Sequence, residues 1–142
     1  MTKASFLKRT DFFHLIARFG KNELNAEMIT KAQHFLVNCV LKRWSDDIQN
    51  FDQLRLHTYY KHAKTLNLEK LPCTSDAMAQ HIKRAYLQAW LWYSSCTTKL
   101  CSLNPIDYGF FKNDGGGMKP ILTISPHLPN NFVLRCSCGK CA

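Results

Sequence analysis

No apolar run in this 142-residue chain approaches the ~20 residues that a membrane-spanning helix needs. No membrane association is therefore expected. The first twenty residues scatter Lys3, Lys8, Arg9, Asp11 and Arg18 among the apolar positions, which leaves no signal-peptide core. The chain is expected inside the cell, nuclear or cytoplasmic, and not secreted. No block of five like charges occurs, so no localisation tract or phosphate-binding arm stands out. Repeats and low-complexity stretches are also lacking.

Catalytic signatures are equally scarce. The six histidines form no HxxxH or HxxEH pattern; His57 and His62 stand five apart, and His14, His34 and His81 stand singly. The ten carboxylates show no DxD, ExxE or paired-acid spacing; Asp46-Asp47 reads as a solvated turn. The run Gly115–Gly117 lacks the Lys-Ser/Thr and helix start of a phosphate loop and reads as turn material. Cys73 precedes a helix, where thiols ionise more readily, but no partner base can be assigned to it. No residue is nominated as catalytic, no small-molecule substrate is indicated, and the chain is read as not an enzyme.

What the chain does have is apolar and aromatic content: 46% hydrophobic and 12% aromatic residues. That is incompatible with disorder throughout, and a chain of this size buries roughly 68% of its unfolded surface. Residues 5–19 repeat apolar positions at helical spacing, and Gly20 is a natural stop. Residues 26–43 form a second helix capped by Asn25, with Ile29, Leu36, Val37 and Val40 on one face and Met28, Ala32, Phe35 and Cys39 extending it. Lys31, His34, Asn38 and Lys42 occupy its other side. That apolar arc is wide enough for two neighbours. Residues 51–66 make a weaker helix, lowered by Thr58, Tyr59 and Tyr60. Residues 75–96, capped by Thr74 or Ser75, are the strongest element. Met78, Ile82, Ala85, Ala89, Trp92, Tyr93 and Cys96 share one face, and Leu87, Trp90 and Leu91 cover the opposite one.

After residue 97 four prolines appear (Pro105, Pro120, Pro126 and Pro129), and helix is not expected there. Tyr108–Phe111 and Met118–Leu122 flank Asn113-Asp114-Gly115, which reads as a β-hairpin. The expected fold is mainly α: a small four-helix bundle with a C-terminal β-hairpin and extended segment, the 75–96 helix at its centre. The expected divisions are a helical domain over 1–100, a hairpin and Pro-rich segment over 101–135, and a Cys-rich tail over 136–142.

Nineteen Lys and Arg against ten Asp and Glu give a net charge of +9, a balance that favours anionic partners. Lys83 and Arg84 stand among Tyr86, Trp90 and Trp92, and interleaved basic and aromatic residues bind nucleic acid by phosphate contact and stacking. Periodicity turns Trp92 toward the core, which leaves Lys83, Arg84 and Trp90 as the nucleic-acid candidates. Leu87 and Leu91, beside Trp90, are the candidates for a protein interaction. Cys136, Cys138 and Cys141 have the density of a metal site, and soft thiolates suit Zn²⁺ in a tetrahedron of four ligands. The fourth ligand is either His127 or a residue beyond Ala142; the bland alternative is a tail of reduced thiols, the default where no secretion signal exists.

A series of short blocks runs in order along the chain. Thr74-Ser75-Asp76-Ala77 is followed by His81 to Gln88 (HIKRAYLQ) and Trp90. Leu103 to Gly109 (LNPIDYG) and Pro120 to Thr123 (PILT) come next, and a Pro-rich bridge leads into Cys136-Ser137-Cys138. The series covers roughly residues 26–141. It resembles an uncharacterised, mobile-element-associated family of animal proteins abundant in arthropods. Gly109-Phe110 replaces the family's usual Gly-Trp. In longer members the terminal cysteines continue into a tail similar to tesmin-type CXC domains, which bind zinc and DNA, and some members carry a nuclease-like region upstream. The resemblance implies that Cys136, Cys138 and Cys141 match only the opening of such a tail, that this copy is truncated, and that no nuclease residue is carried over. Two functions follow as expectations: a non-enzymatic nucleic-acid-binding accessory module of a mobile-element protein, or a protein-interaction fragment of a larger protein.

Overall fold

The computed structural model describes residues 10–21, 23–42, 45–62, 70–95 and 103–125. Four α-helices carry it: α1 (Thr10–Arg18), α2 (Ala26–Leu41), α3 (Phe51–His62) and α4 (Ser75–Ser94). A 3₁₀ turn, Pro105–Tyr108, leads into the antiparallel strands β1 (Phe110–Lys112) and β2 (Met118–Pro120). The fold is mainly helical with a small two-stranded sheet near its C-terminal end, as expected. The parts of the expected elements at 5–9, 43, 63–66 and 96, the extended segment 126–135 and the Cys-rich tail lie outside the described residues.

Local chemistry sets the helix ends. Asn25 is the N-cap of α2, its side chain accepting from the Met28 amide at 2.8 Å. Thr74 caps α4 by accepting from the Ala77 amide at 3.3 Å. Ser75 instead links two helices: its hydroxyl accepts from the Asp52 amide (2.9 Å) while its own amide donates to the Asp52 carboxylate (3.0 Å). The starts of α3 and α4 thereby satisfy each other's free backbone donors.

Gly20 stops α1 for two reasons. Its φ of +79° suits glycine, and a Cβ there would lie 2.7 Å from the Ala89 Cβ and 2.9 Å from the Ala89 carbonyl carbon. The end of α1 is thus pressed directly onto the backbone of α4. α2 ends differently, with Lys42 in the left-handed region at φ 55°.

The core has two lobes. One joins Phe12 and Leu15 of α1, Met28 and Ala32 of α2, and Ile82 and Tyr86 of α4. The other joins Val37 of α2, Ile48 of the connector, and Phe51 and Leu54 of α3. Leu36 and Met78 pack against both lobes. α4 packs against α2, α3 and the 3₁₀ turn, and α2 against α1, α3 and α4, so these two helices share the centre of the described fold.

Three expectations need correction. Asn38 is fully buried rather than facing solvent. Its Nδ2 donates to the His34 carbonyl and its Oδ1 accepts from the Ser45 amide, both at 2.7 Å. Val40 and Cys39, placed on the apolar face, are exposed, Val40 to 56%. Asn38 turns inward because the chain after α2 needs an amide partner inside the fold, and a buried amide left unpaired is costly. Second, helix is not wholly absent after residue 97. Pro105 opens the 3₁₀ turn, where its fixed φ fits and its missing N–H is not needed; Asn104 caps this turn by accepting from the Ile106 amide at 3.2 Å.

Third, the hairpin is present with shorter strands, the first of them shifted to begin at Phe110 and end at Lys112. Lys112 pairs with Met118. The Asn113 amide donates to the Gly117 carbonyl, the Gly116 amide to the Asn113 carbonyl, both at 2.9 Å. Gly116, at φ +79°, takes the left-handed position rather than Gly115.

Gly20→Ala tests the α1–α4 approach. Positive φ and overpacking act together, so urea unfolding should show a loss of at least about 2 kcal/mol. A change under about 0.5 kcal/mol, the level of a surface substitution, would mean that α1 does not rest on Ala89.

Candidate interaction site

α4 presents three arcs, and each meets something different. Ile82 and Tyr86 face the core with Met78 and Trp90 beside them, a spacing of four. Tyr86 is 2% exposed. Its ring stacks on Tyr108 (centroids 5.6 Å, planes 7° apart) and receives Phe19 edge-on at 5.4 Å. Burial pushes both phenols above their ordinary pKa.

A polar arc, Asp76–Gln80–Arg84, also at a spacing of four, faces the hairpin. Arg84 Nη1 donates to the Gly109 carbonyl (3.1 Å) and the Ile121 carbonyl (2.6 Å). The Ile121 amide in turn donates to the Gly109 carbonyl at 2.9 Å, so one guanidinium group clasps both sides of the hairpin base. Gly109, at φ +81°, lets this backbone approach; a Cβ there would stand 3.0 Å from the Gln80 carbonyl oxygen. At the other end of the arc, Asp76 Oδ2 accepts from the Thr123 hydroxyl, the Ile124 amide (2.6 Å) and the Ser125 amide (2.9 Å). These bonds, the Thr123 hydroxyl foremost, hold its carboxyl down at about 2. The blocks Asp76, Arg84, Asp107-Tyr108-Gly109 and Ile121–Thr123, far apart in the chain, therefore meet along one side of α4.

The third arc is open. Ala85, Ala89, Trp92 and Tyr93, with Ile82, form one wall of a groove of about 650 Å³. Leu15, Ile16 and Phe19 of α1 and Ala32, Phe35 and Leu36 of α2 form the rest. Trp92 is 69% exposed and Tyr93 51%. Lys21 holds its Nζ 4.8 Å from the centre of the Tyr93 ring. The lining is hydrocarbon and aromatic, and its polar side-chain groups are the Tyr93 hydroxyl and the Trp92 indole N–H.

The residues nominated from the sequence are dispersed by this arrangement. Arg84 is half-buried and donates to two carbonyls. Lys83, also half-buried, lines a separate polar hollow with Glu23, Asp107 and Tyr108. Trp90 packs against the core, and Trp92, assigned to the core, stands in solvent. Arg84 is thus taken up by the hairpin base and Trp90 by the core, which leaves Lys83 beside the polar hollow. Leu87 is 7% exposed and Leu91 49% exposed, so Leu87 cannot present itself to a partner alongside Leu91. The roles of Trp90 and Trp92 are exchanged because the second half of α4 carries more than one apolar arc. Bulky Ile82 and Tyr86 fill the space between α1, α2 and the 3₁₀ turn, while small Ala85 and Ala89 leave a trough. Periodicity alone does not separate these two arcs. The groove was missed in the sequence; the one signal that could have found it is the width of the apolar arcs on α2 and α4, each broader than one neighbour covers.

Cys136, Cys138, Cys141 and His127 lie outside the described residues. Among the described residues no group of three or more His, Cys, Asp or Glu side chains is arranged to hold a metal ion, and no helix is long and apolar enough to cross a membrane. Comparison of the chain with family models, with curated proteins and with solved structures yields no match.

The Asp76 clasp has a defined pH window. Its carboxyl is lowered from 3.8 to about 2, so its contribution is complete above about pH 4, the ordinary Asp value, and is lost as pH falls through 2. In an NMR titration the Ile124 and Ser125 amide resonances should move together with a midpoint near 2, and Asp76→Asn should abolish that step. A shared midpoint near 4 would show that the carboxylate is not held.

Proposed function

We propose that this chain is a non-enzymatic protein-interaction module, whose α1–α2–α4 groove seats an apolar helix face of a partner or of the remainder of a larger protein. The observation that supports this reading is the groove itself, about 650 Å³ and lined by side chains of three helices, with a tryptophan 69% exposed at its edge. Helical ligands insert residues at i, i+3/i+4 and i+7 into grooves of this kind. Exposed tryptophan and tyrosine are typical anchors of protein interfaces, because they bury much area at little entropic cost. Hydrocarbon walls bind without making or breaking bonds, which suits a module and not a catalyst. In the setting that the resemblance implies, a mobile-element protein, the occupant is another region of that protein.

This reading moves the interaction surface away from Leu87 and Leu91 and away from the nucleic-acid trio. Arg84 is engaged by the hairpin, and a phosphate would have to compete with two carbonyls for Nη1. Zinc on Cys136, Cys138 and Cys141 stays a proposal that rests on the cysteine density and on the resemblance.

The test is a panel of amphipathic helical peptides with leucine at i, i+3/i+4 and i+7, measured by fluorescence anisotropy. Peptides should bind, and Trp92→Glu or Ala89→Arg should weaken them at least about tenfold, the loss of one central anchor. Leu91→Glu, outside the groove lining, should leave affinity unchanged. Affinity that follows Leu91 and ignores Trp92 would return the interface to the opposite face of α4. Self-association abolished by Trp92→Glu would identify the occupant as a second copy.

A further inference from the structure

α3 is used on one half only. Its buried residues, Phe51 and Leu54, both lie in its first turn and a half. Beyond them Leu56, Tyr59 and Tyr60 are exposed to 54%, 46% and 71%, and their i, i+3, i+4 spacing puts them on one face. The two tyrosine rings meet edge to face, 5.7 Å between centroids with planes 71° apart. Such a pair offers ring faces in two directions at once, and the Tyr60 face is largely open. Lys61 and His62 follow on the same turn, both exposed. A second segment supplies Lys70, exposed, next to Leu71, which shares a shallow hollow with Leu56 and Tyr59. Asp52 and Arg55 border that hollow as well. Asp52 is engaged with the Ser75 amide and Arg55 with the Pro72 carbonyl (2.6 Å), so the carboxylate is held toward the start of α4.

We infer that this tyrosine–lysine surface binds single-stranded nucleic acid. Bases stack on open aromatic faces, and flanking cations track the backbone phosphates. A net charge of +9 supplies the long-range attraction. The order of residues is the reverse of a buried aromatic seam: the rings are exposed, His62 follows Tyr59 at i+3, and Lys61 and Lys70 stand on the turn after Tyr60 and on the neighbouring segment. An apolar protein partner fits less well, since exposed lysines follow at Lys61 and Lys70 and the face has only a shallow hollow, not a trough of the kind that Ala85 and Ala89 make on α4. The site is independent of the groove and shares no residue with it.

The experiment uses the whole chain and a fluorescent oligothymidylate of about ten nucleotides, within the range of single-strand site sizes, followed by anisotropy. Binding at low salt should weaken steeply as salt rises. Tyr60→Ala should reduce affinity about fivefold or more, the loss of one stacked base, whereas Tyr60→Phe should retain it. Lys61→Glu together with Lys70→Glu should weaken binding and flatten the salt dependence. Tyr60 supports no core packing, so thermal melting of each variant should match the parent chain. The inference is overturned by absence of binding at low salt, by Tyr60→Ala and Tyr59→Ala that bind as tightly as the parent, by duplex DNA competing as well as the single strand, or by a loss that tracks Trp92→Ala instead.

Discussion

Tyr86 is the residue on which the rest of this chain depends. At 2% exposure its ring meets Phe19, just past the end of α1, nearly at right angles and stacks on Tyr108 of the 3₁₀ turn. Three segments separated by scores of residues are thus brought to one side chain. Aromatic pairs of this geometry add about 0.5–1.5 kcal/mol each beyond the area they bury. The positions of α1 and of the hairpin base relative to α4 follow from it. So does the register of α4, because once Ile82 and Tyr86 point inward, the arcs on either side are committed.

On one of those arcs α4 is a polar rail. Asp76 and Arg84 end the rail with opposite charges, and each meets backbone groups of its complementary sign: amides at Asp76, carbonyls at Arg84. This arrangement removes a difficulty of a two-stranded hairpin, which is marginal by itself in water. The hairpin persists because its base is hydrogen-bonded to a helix rather than because its own short ladder suffices. The chain then leaves the clasp at Ser125, beside the start of α4 and at the opposite end from Trp92.

On the other arc α4 is small and apolar where it could have been large. Ala89 admits the close approach of Gly20, whose Cβ position would fall 2.7 Å from the Ala89 Cβ, and Ala85 and Ala89 together leave the trough that continues past Phe19 and Phe35. A core made of large residues beside a trough made of small ones is one packing decision with two results: a rigid helix layer and an unfilled groove. Interaction surfaces built on rigid helices hold their geometry better than those on loops, which suits a module whose role is contact.

Much of the architecture could be read from residues alone. Asn25 and Thr74 mark helix starts by their ability to accept amide protons, Gly20 marks a stop, and the glycine cluster after Asn113 marks a hairpin, because caps and turns are local chemistry and local chemistry is carried by a few neighbouring residues. The mainly helical class followed for the same reason. The sites did not. Asn38 inside, Trp90 inward and Trp92 outward, Arg84 spent on carbonyls and Leu87 buried all depend on what lies across the space between elements. A helix with more than one apolar arc has no preferred face until neighbours of particular bulk fill it, and only the tertiary packing of Ile82 and Tyr86 against α1, α2 and Tyr108 made that choice.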